Sequence, residues 1–570
     1  MKLGLPKLIE ALRGYSLRTF LHDLLAGVTV GLVALPLAMA FAISSGMPPE
    51  SGIYGAVVAG FIISALGGSR FQIGGPTGAF VVVISGIVVT HGVEGLFLCT
   101  LMAGIILVLL GLTGLGAAVK FIPRPIIVGF TNGIAVLIAS TQVKDLLGLR
   151  IDQPAGAFVP RLREVVENLG GISPASAAMG MATLLVLILF ARFVRRVPGA
   201  IVALFLATAA VALAKIPVET IGSRFGGIPS GLPPVHIPPL RLDLIAPLLS
   251  PAVTVAMLGA IESLMSAVVA DKMSGDRHNP NVELFAQGVA NIASPLVGGL
   301  PATGAIARTA TNIRSGARTP ISGILHAATL LVILVAAAPL ARFVPLAALS
   351  AILLITAYNM GDWEEIPEIL RLSKGDISVW LITFALTVFA DLTLAVEVGM
   401  ILAGLLFIRK IAATTTVAEL SDEEREGGGH EPLILPERPI PDYVAVFRVH
   451  GPLLFGSADK VREITDRIDE LAPVVVLRLQ EMSAIDATGL SALEEAADAL
   501  HSRGLALILC GAREQPGRLM RQAEFFRHVG RENLCANLGE ALARAEQIHQ
   551  EKARQAIEAL GESKLSGWAD

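Results

Sequence analysis

The chain of 570 residues is 53% hydrophobic and only 16% charged, and its mean hydropathy is +0.68. Soluble globular proteins carry about 25% charged residues, so the composition excludes a soluble enzyme and a disordered scaffold. The net charge of −4, from 44 Lys and Arg against 48 Asp and Glu, leaves no basic surface for a nucleic acid.

The charge is unevenly spread. Residues 1–412 hold 27 basic and 21 acidic side chains, a balance of +6, whereas 413–570 hold 17 and 27, a balance of −10. The first stretch reads as a bilayer-embedded domain over 1–412. The remainder reads as a linker over 413–441, a soluble domain over 442–550 and a tail over 551–570. Three cysteines, Cys99, Cys510 and Cys535, are too few and too scattered for a disulfide framework or a zinc cluster. No signal peptide is expected, because the first apolar run follows Lys2, Lys7, Arg13 and Arg18 and leads directly into further runs.

A spanning helix needs about 20 apolar residues. Fourteen spans are predicted, at 23–43, 52–68, 77–91, 96–114, 125–147, 175–193, 199–214, 249–270, 282–296, 303–313, 320–340, 345–360, 376–390 and 392–411. The ends of the even-numbered spans carry most of the loop cations. They are Arg70, Lys120, Arg124, Arg192, Arg195, Arg196, Lys272, Arg277, Arg314, Arg318, Arg371, Lys374, Arg409 and Lys410. The opposite loops hold fewer, among them Arg161, Arg163, Lys215, Arg224 and Arg241. This bias places both termini in the cytoplasm.

The third span opens on Gly74-Gly75-Pro76-Thr77-Gly78-Ala79, and the tenth echoes it with Gly298-Gly299-Leu300-Pro301-Ala302-Thr303-Gly304-Ala305. Val28-Thr29-Val30 is likewise echoed by Val253-Thr254-Val255. The offsets, 226 between Thr77 and Thr303 and 225 between Val28 and Val253, agree on one duplication. Seven spans per half is an odd number, so the second copy is inverted, the plan of many secondary transporters.

Glycine and proline break a helix, and broken backbone at membrane depth is tolerated where it lines protein or a cavity. A helix that starts there leaves its first amides unpaired at the positive end of its dipole. The amides of Gly78, Ala79 and Phe80 are therefore expected to face those of Gly304, Ala305 and Ile306 across an anion site. Tight helix packing is the alternative use of such glycines; two related copies heading short spans favour the site. Arg308, about one and a half turns past Thr303, either deepens the positive potential, pairs with Glu262 or snorkels to the interface.

Glu262 sits near the middle of the eighth span, where an ionised carboxylate is costly unless paired or protonated. That suits a proton carrier, with a structural salt bridge as the alternative. Ser266, one turn on, is placed to share a hydrogen bond or help coordinate a cation. Asp391 and Glu397 lie near span ends and read as interfacial.

Past the linker, strands are predicted at 443–449, 474–479 and 505–510, with helices at 458–471 and 490–503, a small α/β domain. Ser483-Ala484-Ile485-Asp486-Ala487-Thr488-Gly489-Leu490 resembles the STAS domain shared with anti-sigma-factor antagonists. In those antagonists a Ser or Thr at the position of Thr488 is phosphorylated, which makes Thr488 a candidate regulatory site. The competing role is a plain helix cap by Asp486 or Thr488. No pattern resembles a catalytic triad, a P-loop or a metal site, so neither an enzyme nor a cofactor is expected.

Taken with Leu35-Pro36-Leu37-Ala38-Met39-Ala40-Phe41-Ala42 in the first span and Ile306-Ala307-Arg308-Thr309 after the second motif, the chain resembles the sulfate permease (SulP) family. These are bacterial relatives of the solute carrier 26 anion transporters and of prestin. The resemblance implies an α-helical polytopic membrane protein of seven-plus-seven inverted repeats, with core and gate domains, in the bacterial inner membrane. It further implies a homodimer working by an elevator movement, with substrate between the third and tenth half-helices and Phe41 lining the pocket. Thr77 and Thr303 belong to that substrate set. Leu37 replaces a Gln found in several animal members. Glutamate at position 262 is similar to the proton-coupled dicarboxylate members, whereas sodium-coupled bicarbonate members carry aspartate there. The reading is a secondary transporter of a small anion such as sulfate, bicarbonate or a dicarboxylate, coupled to protons rather than sodium. An anion exchanger or uncoupled conductor is the first alternative. The second is a membrane anion sensor that signals to a cytoplasmic partner through its STAS domain.

Overall fold

Helix starts and stops follow local chemistry in the computed structural model, which describes residues 4–114, 116, 123–151, 157–193, 198–235, 241–390, 392–420 and 440–566. Lys120, Arg195, Arg196, Asp391 and the linker stretch 421–439 lie outside the described residues. Two compact units are distinguished, Met1–Ala403 and Gly404–Asp570.

The first unit is helical. A short helix α1 (Lys7–Leu12) precedes α2 (Leu17–Ser44), whose first turn is capped by Ser16 Oγ accepting from the Thr19 amide at 3.2 Å. Pro36 interrupts the ladder of α2 just before Leu37 and Phe41. Helix α3 (Pro49–Leu66) leads to a two-residue strand β1 (Gly74–Gly75) and then to α4 (Ala79–Thr113). The third and fourth predicted spans lie end to end in α4, broken at Gly92, whose φ of 71° is open to glycine. Helices α5 (Arg124–Leu147), α6 (Phe158–Glu167), α7 (Pro174–Phe193), α8 (Gly199–Ala214) and the short α9 (Ile221–Phe225) complete the first half.

The second half begins with α10 (Ile245–Ser274) and α11 (Pro280–Ala293), followed by strand β2 (Thr303–Gly304) and α12 (Ile306–Arg314). It continues through α13 (Ile321–Ala341), α14 (Leu346–Met360), the one-turn α15 (Ile366–Ile369) and α16 (Lys374–Phe389) to α17 (Leu392–Thr414). Every predicted span thus coincides with a helix or, for the third and fourth, with half of one. Among the described residues, eight helices are long and apolar enough to cross a bilayer. Within lipid there is little hydrophobic drive between helices, so close packing holds them together. At the α4–α11 contact a Cβ on Gly104 would lie 2.8 Å from the Gly288 carbonyl oxygen, and one on Gly288 would lie 2.6 Å from that of Gly104.

Strands β1 and β2 pair antiparallel, Gly74 with Gly304 and Gly75 with Thr303. The two echoed motifs therefore meet side by side, in opposite directions.

Two buried carboxylates absent from the sequence reading staple loops to this core. Asp23 accepts from the amides of Arg318 (2.7 Å) and Thr319 (3.0 Å) and from the hydroxyls of Thr319 (2.6 Å) and Tyr15 (3.2 Å). Burial first, then the Asp23 carboxylate, pushes the Tyr15 phenol up to about 12. Glu283 accepts from the amides of Gly68 (2.9 Å) and Ser69 (3.0 Å) and from Gln287 Nε2 (3.0 Å). Each carboxylate has its lone pairs filled, which makes its burial tolerable.

The second unit carries a five-stranded sheet in the order β3 (Thr416–Glu419), β4 (Val444–Leu453), β5 (Val474–Ile485), β6 (Ala506–Cys510), β7 (Leu534–Cys535). Strand β3 lies inside the predicted linker and runs antiparallel to β4; the other pairs are parallel. Helices α18 (Asp459–Asp466), α19 (Ala487–Ser502), α20 (Glu514–Gln522), α21 (Phe526–Val529) and α22 (Leu538–Ser566) accompany it. Helix α18 is shorter than the predicted 458–471, and α22 runs without a break through the expected boundary at 550.

Asp486 caps α19, accepting from the Gly489 amide at 2.8 Å, while Thr488 is exposed in the first turn. The cap therefore belongs to Asp486, and Thr488 is left accessible.

Cys510 is buried, and its thiol is pushed up to about 11 by burial, whereas Cys535 is partly exposed. In the folded protein at neutral pH a maleimide is expected to label Cys535 and leave Cys510 and Cys99 unmodified, as peptide mass mapping would show.

Candidate functional site

The breaks at β1 and β2 open a cavity of about 310 Å³ between the starts of α4 and α12. Leu37 and Phe41 of α2, the Thr77-Gly78-Ala79 turn, Glu262 of α10, and the run from Gly304 to Arg308 form one side. Ile126, Phe130, Thr131 and Ile134 of α5, with Thr356, Asn359, Met360, Asp362 and Met400, form the other. Most of the lining is apolar, with a few convergent polar groups, as expected of a small-ligand site.

Among the polar groups, Thr77 Oγ1 donates to Glu262 Oε2 at 2.7 Å. Arg308 is only 3% exposed; one terminal nitrogen, Nη2, donates to the Pro76 carbonyl, and Nη1 has no partner among the described residues. Arg308 is the charged neighbour of Glu262, yet no ion pair joins them among the described residues. The snorkelling and paired alternatives for Arg308 are thus not realised.

Glycine is demanded by close approach here. A Cβ on Gly75, whose φ is 149°, would lie 2.6 Å from Arg308 Nη1. One on Gly78 would lie 2.8 Å from Met360 Sδ and 3.3 Å from the Phe41 ring. One on Gly304 would lie 1.8 Å from Gln72 Nε2. Gly304→Ala is expected to cost about 1–3 kcal/mol through overpacking. A thermal melt should show the loss, and shortening Gln72 to Ser in the same chain should recover part of it.

The expected symmetry of amides is only partly present. The Phe80 amide donates to the Thr77 carbonyl at 3.3 Å, and the Phe80 ring is buried in the core, off the cavity. The Ala305 amide donates to the Ile73 carbonyl at 2.8 Å, so it faces no ligand. Thr303 also lies off the cavity, its hydroxyl donating to the Gly259 carbonyl at 2.8 Å. Ser266 is fully buried and donates to Thr309 Oγ1 at 3.0 Å rather than toward Glu262. What remains is the first turn of α12, where Ile306, Ala307 and Arg308 find no backbone acceptor among the described residues, together with Gly78 and Ala79 at the start of α4. Glu397 is exposed on α17 and takes no part.

Reasoning from sequence missed the α5 wall and the segment Thr356–Asp362. Nothing in their composition sets them apart, since Ile, Phe and Met at helical spacing describe any buried span. Asp362 was the available signal, a carboxylate between two apolar runs. Another cavity, of about 370 Å³ between α2, α8 and α13, is lined by apolar side chains with Thr208 as its one polar residue, and offers nothing to hold an anion.

Residues 20–383 match the Sulfate permease family, and 436–541 match the STAS domain. The chain belongs to the sulfate permease family. The putative sulfate transporter YvdB of Bacillus subtilis is 40% identical over 524 residues, covering 91% of this permease and 97% of the relative. The bicarbonate transporter BicA of Synechocystis is 31% identical over 541 residues, covering 92% and 94%. The structure of murine solute carrier 26 family member A9, an anion transporter, superposes with a TM-score of 0.85 at 17% identity, covering 95% of this chain and 94% of that one. The permease is therefore a multi-pass integral membrane anion transporter with a C-terminal STAS domain.

Proposed function

We propose that this permease carries a small anion of the sulfate, bicarbonate or dicarboxylate class together with a proton. The observation that supports the reading is the presence, in one largely apolar cavity, of a buried guanidinium with an unused donor and a half-buried carboxyl held by Thr77. The anion takes Arg308 Nη1 and the amides of the first turn of α12, where the helix dipole adds positive potential. Phe41 and Leu37 close the apolar wall, and a proton on Glu262 offsets the charge that travels. Relatives named as sulfate and bicarbonate transporters lend support to both anions as candidates.

In this reading the β1–β2 pair keeps the two half-helices together while they move as one body against the α5 and α14 wall in an elevator cycle. The working unit is a homodimer in the inner membrane with both termini cytoplasmic, and exposed Thr488 is open to phosphorylation or to a protein partner. The test is uptake of radiolabelled sulfate, bicarbonate, succinate and fumarate into proteoliposomes at two external pH values. A symporter accumulates one of them only under an inward proton gradient. Uptake that requires internal anion instead identifies an exchanger, and binding without flux identifies a sensor.

A further inference from the structure

Arg308 also borders a second polar cluster, built by three helices. Helix α3 contributes Ser64, α12 contributes Arg308 and, one turn on, Asn312, and α13 contributes Ser322 and His326. Their proximity is tight. A Cβ on Gly323 would lie 2.1 Å from Ser64 Oγ, and one on Gly60 would lie 3.6 Å from His326 Nδ1. Asn312 Nδ2 donates to Ser322 Oγ at 2.9 Å and to the Phe71 carbonyl at 3.0 Å. Arg308 is the charged neighbour of His326.

Ser64, Arg308, Asn312 and His326 are each 3% exposed or less. Yet Ser64 Oγ, Asn312 Oδ1, Arg308 Nη1 and both ring nitrogens of His326 have no partner among the described residues. A single such atom in a core is costly, and five on three neighbouring helices call for a shared ligand; Arg308 Nη1 carries two hydrogens, so one can serve this ligand while the other serves the anion. Its chemistry follows from what each atom lacks. A neutral imidazole needs one donor and one acceptor, Asn312 Oδ1 needs a donor, and the guanidinium needs an acceptor. A cation would meet the charge of Arg308, and an anion would leave Asn312 Oδ1 unmatched. Water supplies both roles.

We propose that these groups form an internal water site, in which bound water bridges His326 to the Arg308 guanidinium, and that His326 is thereby a positioning residue for Arg308. The positioning role rests on the reading of Arg308 as the anion's cationic ligand; the water site does not. Ser322 extends the cluster toward Asp23, donating to the Thr319 carbonyl at 3.0 Å.

The sign of a stability change tests the water site in the full-length protein. If the site is dry, Ser64→Ala and His326→Leu remove unsatisfied groups and raise the melting temperature; if it is hydrated, they remove hydrogen bonds and lower it. The positioning role is tested in proteoliposomes with radiolabelled bicarbonate or sulfate, whichever the uptake panel shows to be carried. His326→Leu is expected to raise KM about tenfold with kcat little changed, and His326→Gln, which keeps a donor and an acceptor, to restore it. Melting temperatures at or above wild type overturn the water site. A lowered melting temperature with unchanged KM overturns the positioning role. Should His326→Leu fail to fold, Ser64→Ala decides the hydration and His326→Gln, with a near wild-type KM expected, decides the positioning. If Arg308→Gln leaves KM unchanged, the anion reading itself falls while the melting result still judges the water site.

Discussion

Glu262→Gln is expected to abolish proton-driven anion accumulation while anion counterflow persists. The two activities make different demands on the same side chain. Accumulation requires a group that loads a proton on one face of the membrane and releases it on the other. Counterflow exchanges labelled for unlabelled anion and needs no net proton movement, only a loaded carrier that can reorient. Gln preserves the shape of the carboxyl and retains an oxygen to accept from Thr77, which now sits 2.7 Å from Oε2. It cannot be ionised, so it fixes one charge state. In proteoliposomes, uptake of the carried anion under an inward proton gradient should fall to the passive rate, and its dependence on external pH should flatten. Counterflow at an unchanged gradient should continue. Equal loss of both activities would assign Glu262 a structural role instead. The local environment supports the coupling reading, because Glu262 has a single hydrogen-bond partner among the described residues, whereas Asp23 and Glu283 are saturated by amides and hydroxyls. A saturated carboxylate holds a loop; a carboxyl with one partner beside a cavity is free to exchange a proton.

How far these features were legible depends on what kind of signal each one leaves. The span pattern was readable because a helix in lipid must be long and apolar, so hydropathy places the spanning helices between α2 and α17, whereas the short α6, α9 and α15 fall outside every predicted span. The break at Gly74–Gly78 and its echo at Gly298–Ala305 were readable because Gly and Pro at membrane depth have few other uses. Asp23 and Glu283 were not readable. A carboxylate near a span end looks interfacial in a sequence, and nothing local discloses the amides of Arg318 or Gly68 that come from distant loops. The fate of the helix-start amides was equally hidden. Whether Phe80 and Ala305 offer their N–H groups to a ligand depends on turn geometry and on the Ile73 carbonyl across the strand pair, not on residue type. Strand β3 was missed for a related reason: four residues, Thr416–Glu419, beside an acidic run look like linker until β4 pairs with them.

That asymmetry between the half-helices bears directly on Arg308. With the Phe80 and Ala305 amides engaged, the opposed dipoles supply less of the attraction than two fully open helix starts would, and the guanidinium must supply more. Arg308→Gln is therefore expected to weaken anion binding severely. A hydrogen bond to a charged group is worth about 1.5–3 kcal/mol, which corresponds to a loss of roughly 10- to 150-fold in affinity. Gln is two atoms shorter than Arg and gives up the Pro76 contact along with the charge, so some loss of stability is expected beside the loss of affinity. Arg308→Lys keeps the charge but forfeits the fork that serves Pro76 with Nη2 and leaves Nη1 for the ligand; it should fall between the two. Equilibrium binding of radiolabelled anion to purified protein, with melting temperatures alongside, separates affinity from stability. The pattern across anions carries further weight. Loss of the charged donor should weaken a divalent anion such as sulfate more than bicarbonate, because the doubly charged oxygens gain more from a charge-assisted contact. A uniform, small loss for every anion would mean that the amides of Ile306 and Ala307 hold the ligand unaided and that Arg308 serves chiefly to tie β1 to α12.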